Sequence, residues 1–390
     1  MERVVTTLPT TIRTEMSNAR VQGVISGGLL AHHIGADFTP WMGLNGRASD
    51  TSLEAQQTFD AIARTYGPQE ATHVMSDTNP EFIRFVQENT ETLIENGHLV
   101  IGEIEQLVCE CGIVHIEKSA VEETHIDKLQ NIKQRLDALV CKHCEGALMP
   151  ENSEQITTTP SLYRTLDAGI DLFPQQSVHA KVISIVQEAC KKRKVVSRTN
   201  RSQGISHQKN GSAFILDPDF TLQFSPSYTP GQAETILISG SRQVERVVGS
   251  MAVFKALNIQ STPVSLLHPR VVLHPNNPSL GLPASTTSRE ALQSTLLTAS
   301  TLSWNNHESK LSEADYIMLT KMSAQLSAVQ DEHGSYAEKA LARPGQDNSV
   351  ASFMQLYSPQ RIRAVLKAIR RGDVSAGSDE ATLLSDLHKW

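Results

Sequence analysis

Two stretches near the start of the chain decide the fold: Arg3-Val4-Val5-Thr6-Thr7-Leu8, which Pro9 closes, and Gln22-Gly23-Val24-Ile25-Ser26-Gly27-Gly28-Leu29-Leu30. The first is rich in β-branched residues, which predicts a strand. The second is punctuated by glycines and predicts a loop that runs into a helix. A strand, a loop and a helix in this order begin a doubly wound sheet. The sequence therefore predicts an α/β protein.

The alternation of strands and helices continues along the chain. The clearest helix is predicted after Asn79, which can cap the first turn, and Pro80, which suits the first helical position. Gly97 ends this helix, and residues 99–108 then alternate like a strand that leads to Cys109. A later group of segments repeats the pattern, with a helix over 161–190, strands over 235–239 and 264–274, and a helix over 242–257.

The fold prediction is a doubly wound parallel, Rossmann-like sheet that an insert divides and a small C-terminal helical domain closes. Residues 1–98 form the first half of the α/β domain and residues 99–160 the insert. Residues 161–285 form the second half, and residues 286–390 form the helical domain.

Charge and composition exclude several classes of protein. The 390 residues carry a formal net charge of −7, so a polyanion partner would need a local basic patch. No apolar run approaches the roughly 18 residues that span a bilayer, and residues 1–14 lack the apolar core of a signal peptide. We expect a cytoplasmic protein with no membrane partner. The oligomeric state does not follow from the sequence.

Four cysteines form two close pairs, Cys109-Glu-Cys111-Gly and Cys141-Lys-His-Cys144. Close cysteine pairs present two thiolates each, and four thiolates hold zinc in a tetrahedron. The spacing predicts a structural zinc knuckle, because four protein ligands leave no open position for catalysis. Two alternatives stay open: four thiols without a metal, or a site in which a histidine replaces one thiolate. The histidines in question are His115, His125 and His143.

A basic run follows a predicted helix: Lys191, Lys192, Arg193, Lys194, Arg198 and Arg201. In an acidic protein such a patch is a candidate for contact with RNA or phosphate. The alternative is a solvated helix end whose cations match the helix dipole. A second set of cations, on the helix predicted over 358–371, is better explained as a solvated face.

Five stretches carry a family resemblance through their shared order. They are Val4–Pro9, Ile25–Ala31 with Ala36-Asp37, Asn79–Leu99, Ile104–Cys109 and Val196–Ile205. In this order they resemble class I aminoacyl-tRNA synthetases of the methionyl type, over roughly residues 1–300. The resemblance implies a truncated, degenerate relative of these enzymes. It also implies a nucleotide-type pocket beside Gly23, Ser26, Gly27, Gly28, Ser285 and Thr286.

The chain departs from the family at the residues that stabilise ATP. The family's His-x-Gly-His signature aligns with Val21-Gln22-Gly23-Val24, so both histidines are valine. The family's Lys-Met-Ser-Lys-Ser loop aligns with residues 282–288, which contain no lysine. About 100 residues follow the catalytic part, fewer than the family's usual helical domain. ATP use and cognate-tRNA charging are therefore both doubtful.

Three short strings imitate family motifs at other positions. His32-His33-Ile34-Gly35 follows the helix start, and Lys321-Met322-Ser323 and Asp331-Glu-His-Gly334 lie too far along the chain. No known catalytic constellation stands out, so the catalytic residues are unknown. His32, His33 and Asp37 are weak candidates as the best-placed polar cluster near the pocket, although capping or solvated roles also explain them.

Three functions remain compatible with the residues. The first is an aminoacyl- or amide-transferring enzyme of specialised metabolism that takes an activated group, from tRNA for example, to a small amine or amide acceptor. The second is a non-catalytic pseudo-synthetase that binds an amino acid, tRNA or a protein. The third is a ligase that makes its own adenylate with unfamiliar residues. The lost ATP signatures favour the first two.

Overall fold

The computed structural model describes residues 3–17, 20–45, 49–68, 70–109, 114–117, 146, 148–166, 169–198, 204–228, 234–259, 263–268, 270–272, 288–302, 304, 308–310, 317, 321, 349–371, 379 and 383. The strands of this part are β1 (Arg3–Thr7), β2 (Thr10–Thr11), β3 (Asp37–Thr39), β4 (Trp41–Gly43), β5 (Met75–Ser76), β6 (Leu99–Cys109), β7 (Val114–Glu117), β8 (Leu148–Thr158), β9 (Ser197–Arg198), β10 (Ile205–Lys209), β11 (Ser212–Leu216), β12 (Glu234–Gly240), β13 (Val264–His268), β14 (Arg270–Val272) and β15 (Glu308–Lys310). The α-helices are α1 (Gln22–Ile34), α2 (Leu53–Tyr66), α3 (Pro80–Glu95), α4 (Pro160–Arg164), α5 (Gln176–Ala189), α6 (Pro218–Thr221), α7 (Val244–Ala256), α8 (Ser288–Thr301), α9 (Val350–Leu356) and α10 (Pro359–Arg370).

A parallel four-stranded sheet with the order β13-β12-β1-β3 lies at the centre of the described structure. The chain leaves β1 through α1 and returns one position to one side as β3. It leaves β12 through α7 and returns on the other side as β13. The strand order therefore reverses between β1 and β12, which is the switch point of a doubly wound sheet. The predicted α/β class is confirmed.

Two hydrophobic clusters cover the two faces of this sheet. Ile236 and Ile238 of β12 belong to the cluster that contains α1, whereas Leu237 between them belongs to the cluster that contains α7. Side chains alternate between the faces of a strand, so α1 and α7 pack on opposite faces. The C-terminal helices α8, α9 and α10 contribute to the α1 cluster and complete its cover.

Helix α3 has the ends that its sequence predicts. The Asn79 side chain accepts a hydrogen bond from the Glu81 N–H at 2.8 Å, and Pro80 occupies the first helical position. At the other end, Gly97 has a φ of +71°, which a glycine adopts without strain, and the His98 N–H reaches the Leu93 carbonyl. The helix buries its apolar face and leads the chain into β6.

The insert begins as a long antiparallel ladder. Strands β6 and β8 pair along their full length, from Leu99 opposite Thr158 to Cys109 opposite Leu148. Strand β7 pairs with the other edge of β6. Cys109 is the last residue of β6, whereas Cys111, Cys141 and Cys144 lie outside the described residues. The connection that carries these three cysteines therefore starts and ends at paired strand ends.

Two predicted elements are shorter than the sequence pattern indicated. The strand expected over 264–274 is divided into β13 and β14, and Pro269, which has no N–H to donate to a ladder, lies between them. The helix expected over 161–190 is divided into α4, a 3-10 turn at Gly169–Leu172, and α5. Pro174 interrupts it, because proline within a helix removes a hydrogen bond and clashes with the preceding turn.

Candidate functional site

A cavity of about 510 Å³ opens at the carboxyl edge of the central sheet, at the switch point between β1 and β12. Open α/β sheets bind their ligands at this place, because the loops that leave the two strands diverge there. The walls come from the residues that follow β1, from β2, from the first turn of α1 and from the segment between β12 and α7. The ends of β4, β5 and β13 complete them.

The amino end of α1 forms part of the cavity floor. Gln22 and Gly23 line the cavity, and no side chain caps the helix at Val21. The first N–H groups of a helix have no partner within the helix, and they carry the positive end of its dipole. This end of the cavity therefore favours a negatively charged group.

The two valines that the resemblance aligns with a histidine signature are buried in the core beside the cavity. Val21 and Val24 are fully buried in the cluster that holds α1 against the sheet, and neither lines the cavity. Branched apolar side chains at these positions add to the core and donate nothing to a ligand. The start of α1 thus keeps its backbone position at the site without an imidazole.

Three predicted pocket residues instead pack α1 against its neighbours. A methyl group on Gly27 would lie 2.7 Å from the Phe38 ring, and one on Gly28 would lie 2.0 Å from the carbonyl oxygen of Tyr66. Ser26 is fully buried. Ser26, Gly27 and Gly28 are therefore not among the residues that line this cavity, whereas Gly23 is. Ser285 and Thr286 lie outside the described residues.

The expected polar cluster of His32, His33 and Asp37 lies at the other edge of the sheet. The His33 ring is buried, and its Nε2 lies 2.8 Å from the Ser352 hydroxyl of α9. Eleven residues of helix separate His33 from Gln22, which is about 16 Å. Asp37 starts β3 and is exposed. None of these three residues lines the cavity.

Asp77 places a buried carboxyl group in the cavity wall. Its side chain is 1% exposed, and one oxygen accepts hydrogen bonds from the Leu44 N–H at 2.7 Å and the Asn45 N–H at 3.3 Å. Its second oxygen lies 3.2 Å from the same Asn45 nitrogen. Burial raises the pKa of Asp77 to about 6, and the backbone hydrogen bonds oppose this rise. A carboxylate in such a place favours a cationic partner.

Arginines dominate the charge at the rim. Arg13, Arg20 and Arg242 are exposed there, and Arg20 reaches the Thr11 carbonyl at 3.5 Å. Arg246 pairs with Asp219 at 3.0 Å, so these two charges offset each other. Among the lining residues that the structure describes, the rim is therefore cationic and the wall carries one buried carboxyl group. A ligand with an anionic end and an ammonium end matches this distribution.

One imidazole, that of His268, lines the described part of the cavity. His268 is the last residue of β13 and is 6% exposed. A methyl group on Gly240 would lie 3.4 Å from its Cε1, and one on Gly23 would lie 3.6 Å from its Nε2. The ring therefore extends from β13 across the bare backbone of β12 towards the start of α1.

The basic run lies away from this cavity. Lys191, Lys192, Arg193 and Lys194 are exposed after the end of α5, and Lys192 pairs with Glu188 at 3.0 Å. The run is fixed to the base of the insert, since the Lys194 carbonyl accepts the Thr158 N–H at 2.9 Å. None of these four residues lines the cavity. The Arg198 side chain and Arg201 lie outside the described part of the chain.

Comparison with known proteins gives a match in structure and none in sequence. No family model and no curated protein matches the chain. A crystal structure of methionyl-tRNA synthetase from Mycobacterium tuberculosis, bound by methionyl-adenylate, matches with a TM-score of 0.61 at 11% identity, over 99% of this chain and 88% of that one. The fold is that of a class I aminoacyl-tRNA synthetase. The free-state structure of the Mycobacterium synthetase matches with a TM-score of 0.58 at 11% identity, over 99% of this chain and 86% of that one.

The match confirms the class I synthetase-like α/β fold that the shared order of motifs predicted, and at this identity it shows nothing further. Sequence reasoning missed the polar residues of the cavity, notably Asp77 and His268. His268 carried a usable signal, because it belongs to a predicted strand of the doubly wound sheet and lies at the carboxyl end of β13. In a doubly wound sheet such positions point to the ligand site.

Proposed function

We propose that the protein transfers an aminoacyl group from an activated donor, an aminoacyl-tRNA, to the nitrogen of a small amine or amide acceptor. The observation that carries the proposal is the charge distribution of the switch-point cavity. It has a cationic rim, a buried carboxyl group and no imidazole at the start of α1. The carboxyl group would bind the ammonium group of the donor, and the rim would bind its phosphates. The missing imidazole fits a protein that does not carry out the activation step.

Asp77 would bind the ammonium group of the donor. An isolated buried carboxylate is costly, and the donors to its oxygens among the described residues are the backbone N–H groups of Leu44 and Asn45. An ammonium group that enters the cavity would form a charge-assisted hydrogen bond with it and offset the desolvation. Burial raises the pKa of Asp77 to about 6, which is still below neutral pH, so most of the group is a carboxylate that can bind such a cation.

The cationic rim would bind the phosphates of the donor. Arg13, Arg20 and Arg242 project around the opening, and the positive end of α1 lies at its floor. Guanidinium groups match phosphate geometry and stay charged. The 3′ end of a tRNA would thus bring its acyl ester into the cavity with its phosphates at the rim.

The valines support an activated donor over ATP. Loss of a single donor to a developing oxyanion typically costs about 2.7–4 kcal/mol of transition-state stabilisation. Val21 and Val24 are two such losses by comparison with the family signature, and residues 282–288 contain no lysine. An acyl ester already stores the energy of activation, so transfer from it requires none of these groups.

Zinc and tRNA belong to the same proposal as binding partners. Zinc would be held by Cys109, Cys111, Cys141 and Cys144 and would stabilise the insert without a catalytic role. Lys191, Lys192, Arg193 and Lys194, at the base of the insert, would guide the tRNA backbone. These three lysines and one arginine are exposed, which is what a contact with phosphate requires.

The proposal is tested by loss of label from tRNA charged with a mixture of the twenty ¹⁴C-labelled amino acids, in the presence of ammonia, glycinamide and putrescine. We expect protein-dependent transfer of label from the tRNA to one acceptor. A filter assay measures the label that remains on the tRNA, and chromatography identifies the labelled product. Binding of tRNA without transfer would instead identify a non-catalytic pseudo-synthetase. Label that moves only from free amino acid with ATP would identify a ligase.

A further inference from the structure

We infer that His268 is the catalytic acid–base residue of the cavity and that Gln175 is the residue that positions it. The inference rests on the proposed function and adds a residue for the proton transfer that amide formation requires. It depends on where β13 ends, on the glycine opposite that end and on one buried amide side chain.

Gly240 gives the imidazole its path to the reacting region. His268 and Gly240 are direct partners in the register of β12 and β13. Since Gly240 has no side chain, the ring lies over its backbone and brings Nε2 to the start of α1. This is the switch point, where the acyl ester of the donor would lie between the cationic rim and Asp77. The imidazole that is missing from α1 is thus replaced by one from β13.

Gln175 holds the strand that carries this ring. β13 is an edge strand in the described sheet, and the Gln175 side chain pairs with its outer edge. The Leu267 N–H donates to Oε1 at 2.7 Å, and Nε2 donates to the Leu267 carbonyl at 2.7 Å. Nε2 also reaches the Trp304 carbonyl at 3.1 Å. The buried Gln175 amide therefore holds both the N–H and the carbonyl of Leu267, the residue before His268. It also links this residue to Trp304, which follows α8.

The proton transfers balance without any further reagent. The acceptor nitrogen attacks the acyl carbon, a C–N bond forms, and the proton of that nitrogen passes to Nε2 of His268. The C–O bond to the carrier then breaks, and the carrier oxygen leaves with the proton from the imidazole. Nothing is oxidised or reduced, and the ring ends in its starting state. General acid–base catalysis of this kind contributes typically about 10²–10⁴-fold to a rate.

Among the described residues that line the cavity, Asp77 is a second buried titratable group. Its surroundings suit it less well than His268 for proton transfer. Its oxygens already accept hydrogen bonds from Leu44 and Asn45, which fix the carboxylate in the wall. The His268 ring lies at the floor instead, beside the positive end of α1. Asp77 therefore binds, and His268 moves the proton.

The experiment measures transfer from the ¹⁴C-charged tRNA mixture in the full-length protein and in four variants. His268→Gln is expected to lower kcat about 10²–10⁴-fold with KM for the charged tRNA within about threefold. His268→Ala is expected to regain activity when free imidazole is added. Gln175→Glu retains an acceptor for the Leu267 N–H but loses the donor to its carbonyl, so we expect a kcat about tenfold lower, an unchanged KM and no rescue by imidazole. The control is His207→Gln, a histidine that is equally buried but lies outside the cavity, with unchanged kinetics.

The outcomes separate the two levels of the proposal. A His268→Gln variant with at least half of the wild-type kcat overturns the inference and leaves the proposed function intact. Loss of activity in His268→Ala that imidazole does not restore, with tRNA binding also lost, assigns the ring a structural role and also overturns it. No transfer by the wild-type protein overturns the proposed function and this inference with it.

Discussion

At the scale of single residues, the cavity is defined by a few side chains whose backbone neighbours fix them. Asp77 is held by the N–H groups of Leu44 and Asn45, and His268 lies over Gly240. Gly27 and Gly28 do not line the cavity, yet they determine how closely α1 approaches the sheet and α2. The chemistry and the packing of the site thus depend on different residues of one short region.

Replacement of Asp77 by asparagine is expected to stabilise the protein as the pH rises. The folded-state pKa of about 6 lies above the ordinary value of 3.8, so the wild type loses stability between about pH 4 and pH 6, where the unfolded carboxyl group has ionised and the folded one still holds its proton. An asparagine avoids this loss and still accepts a backbone hydrogen bond. At about 1.4 kcal/mol per pKa unit, the gain reaches up to about 3 kcal/mol at pH 7.

Urea unfolding of wild type and Asp77→Asn at pH 4 and pH 7 measures this difference. The same variant should bind the donor poorly, because the partner of the ammonium group is gone. A stability difference that does not change between the two pH values would contradict the burial of this carboxyl group.

Gly28→Ala is expected to destabilise the fold by about 3 kcal/mol or more. The new methyl group would lie 2.0 Å from the Tyr66 carbonyl oxygen, and this obstacle is backbone that a rotamer change does not remove. Gly102→Ala is the control, since a methyl group there meets nothing within 4 Å. Thermal unfolding of both variants is the measurement. Equal melting temperatures would show that α1 does not pack on α2 at this distance.

At the scale of elements, the sequence predicted those whose ends carry local signals. Helix α3 has a capping asparagine, a proline at its first position and a glycine after it, and each of these acts within one turn. Residues 264–274 and 161–190 were predicted as single elements, because apolar periodicity continues across Pro269 and Pro174. The prolines were the better signal.

The cavity was harder to predict than the elements, because it joins strand ends that are far apart in the chain. Asp77 and His268 meet one cavity although 191 residues separate them. The contact between His33 and α9 is equally non-local, since α9 begins more than 300 residues later. Proximity in sequence placed His33 beside the pocket, and the length of α1 placed it at the opposite edge.

The insert supplies a prediction about metal. Purified protein is expected to contain about one zinc per chain by elemental analysis, and Cys141→Ser is expected to release it. Structural zinc binding is worth about 10–16 kcal/mol in small peptides, so its loss should expose the insert to proteolysis. Cys190→Ser is the control, since Cys190 packs against the core that contains α5. Protein prepared without chelator that contains no metal would contradict the knuckle.

At the scale of the whole molecule, a synthetase-like fold is combined with a switch-point cavity whose described lining includes three exposed arginines and one buried carboxyl group. The structural match to the Mycobacterium synthetase extends over 99% of this chain. No helix of the described residues is long and apolar enough to cross a membrane. With a net charge of −7, the protein as a whole repels polyanions, so a tRNA partner depends on a local cationic surface.

That surface can be tested by charge removal. Replacement of Lys191, Lys192, Arg193 and Lys194 by glutamine is expected to weaken tRNA binding and to lower the log–log salt slope by up to about 0.9 per lost duplex contact. The control replaces three cations of α10, Arg361, Arg363 and Lys367, together with Arg371 after it, and should leave the slope unchanged. Wild-type protein without tRNA affinity at low salt would contradict the role of the run.

We propose that the donor reaches the protein already activated, and the need for ATP decides this. The rate at which ¹⁴C label moves to the acceptor mixture is compared for charged tRNA without ATP and for free amino acids with ATP. We expect transfer from charged tRNA at a rate that ATP does not change, and none from free amino acids. Label that moves only from free amino acids and only with ATP would show that the protein makes its own adenylate, and an activated donor would then be ruled out.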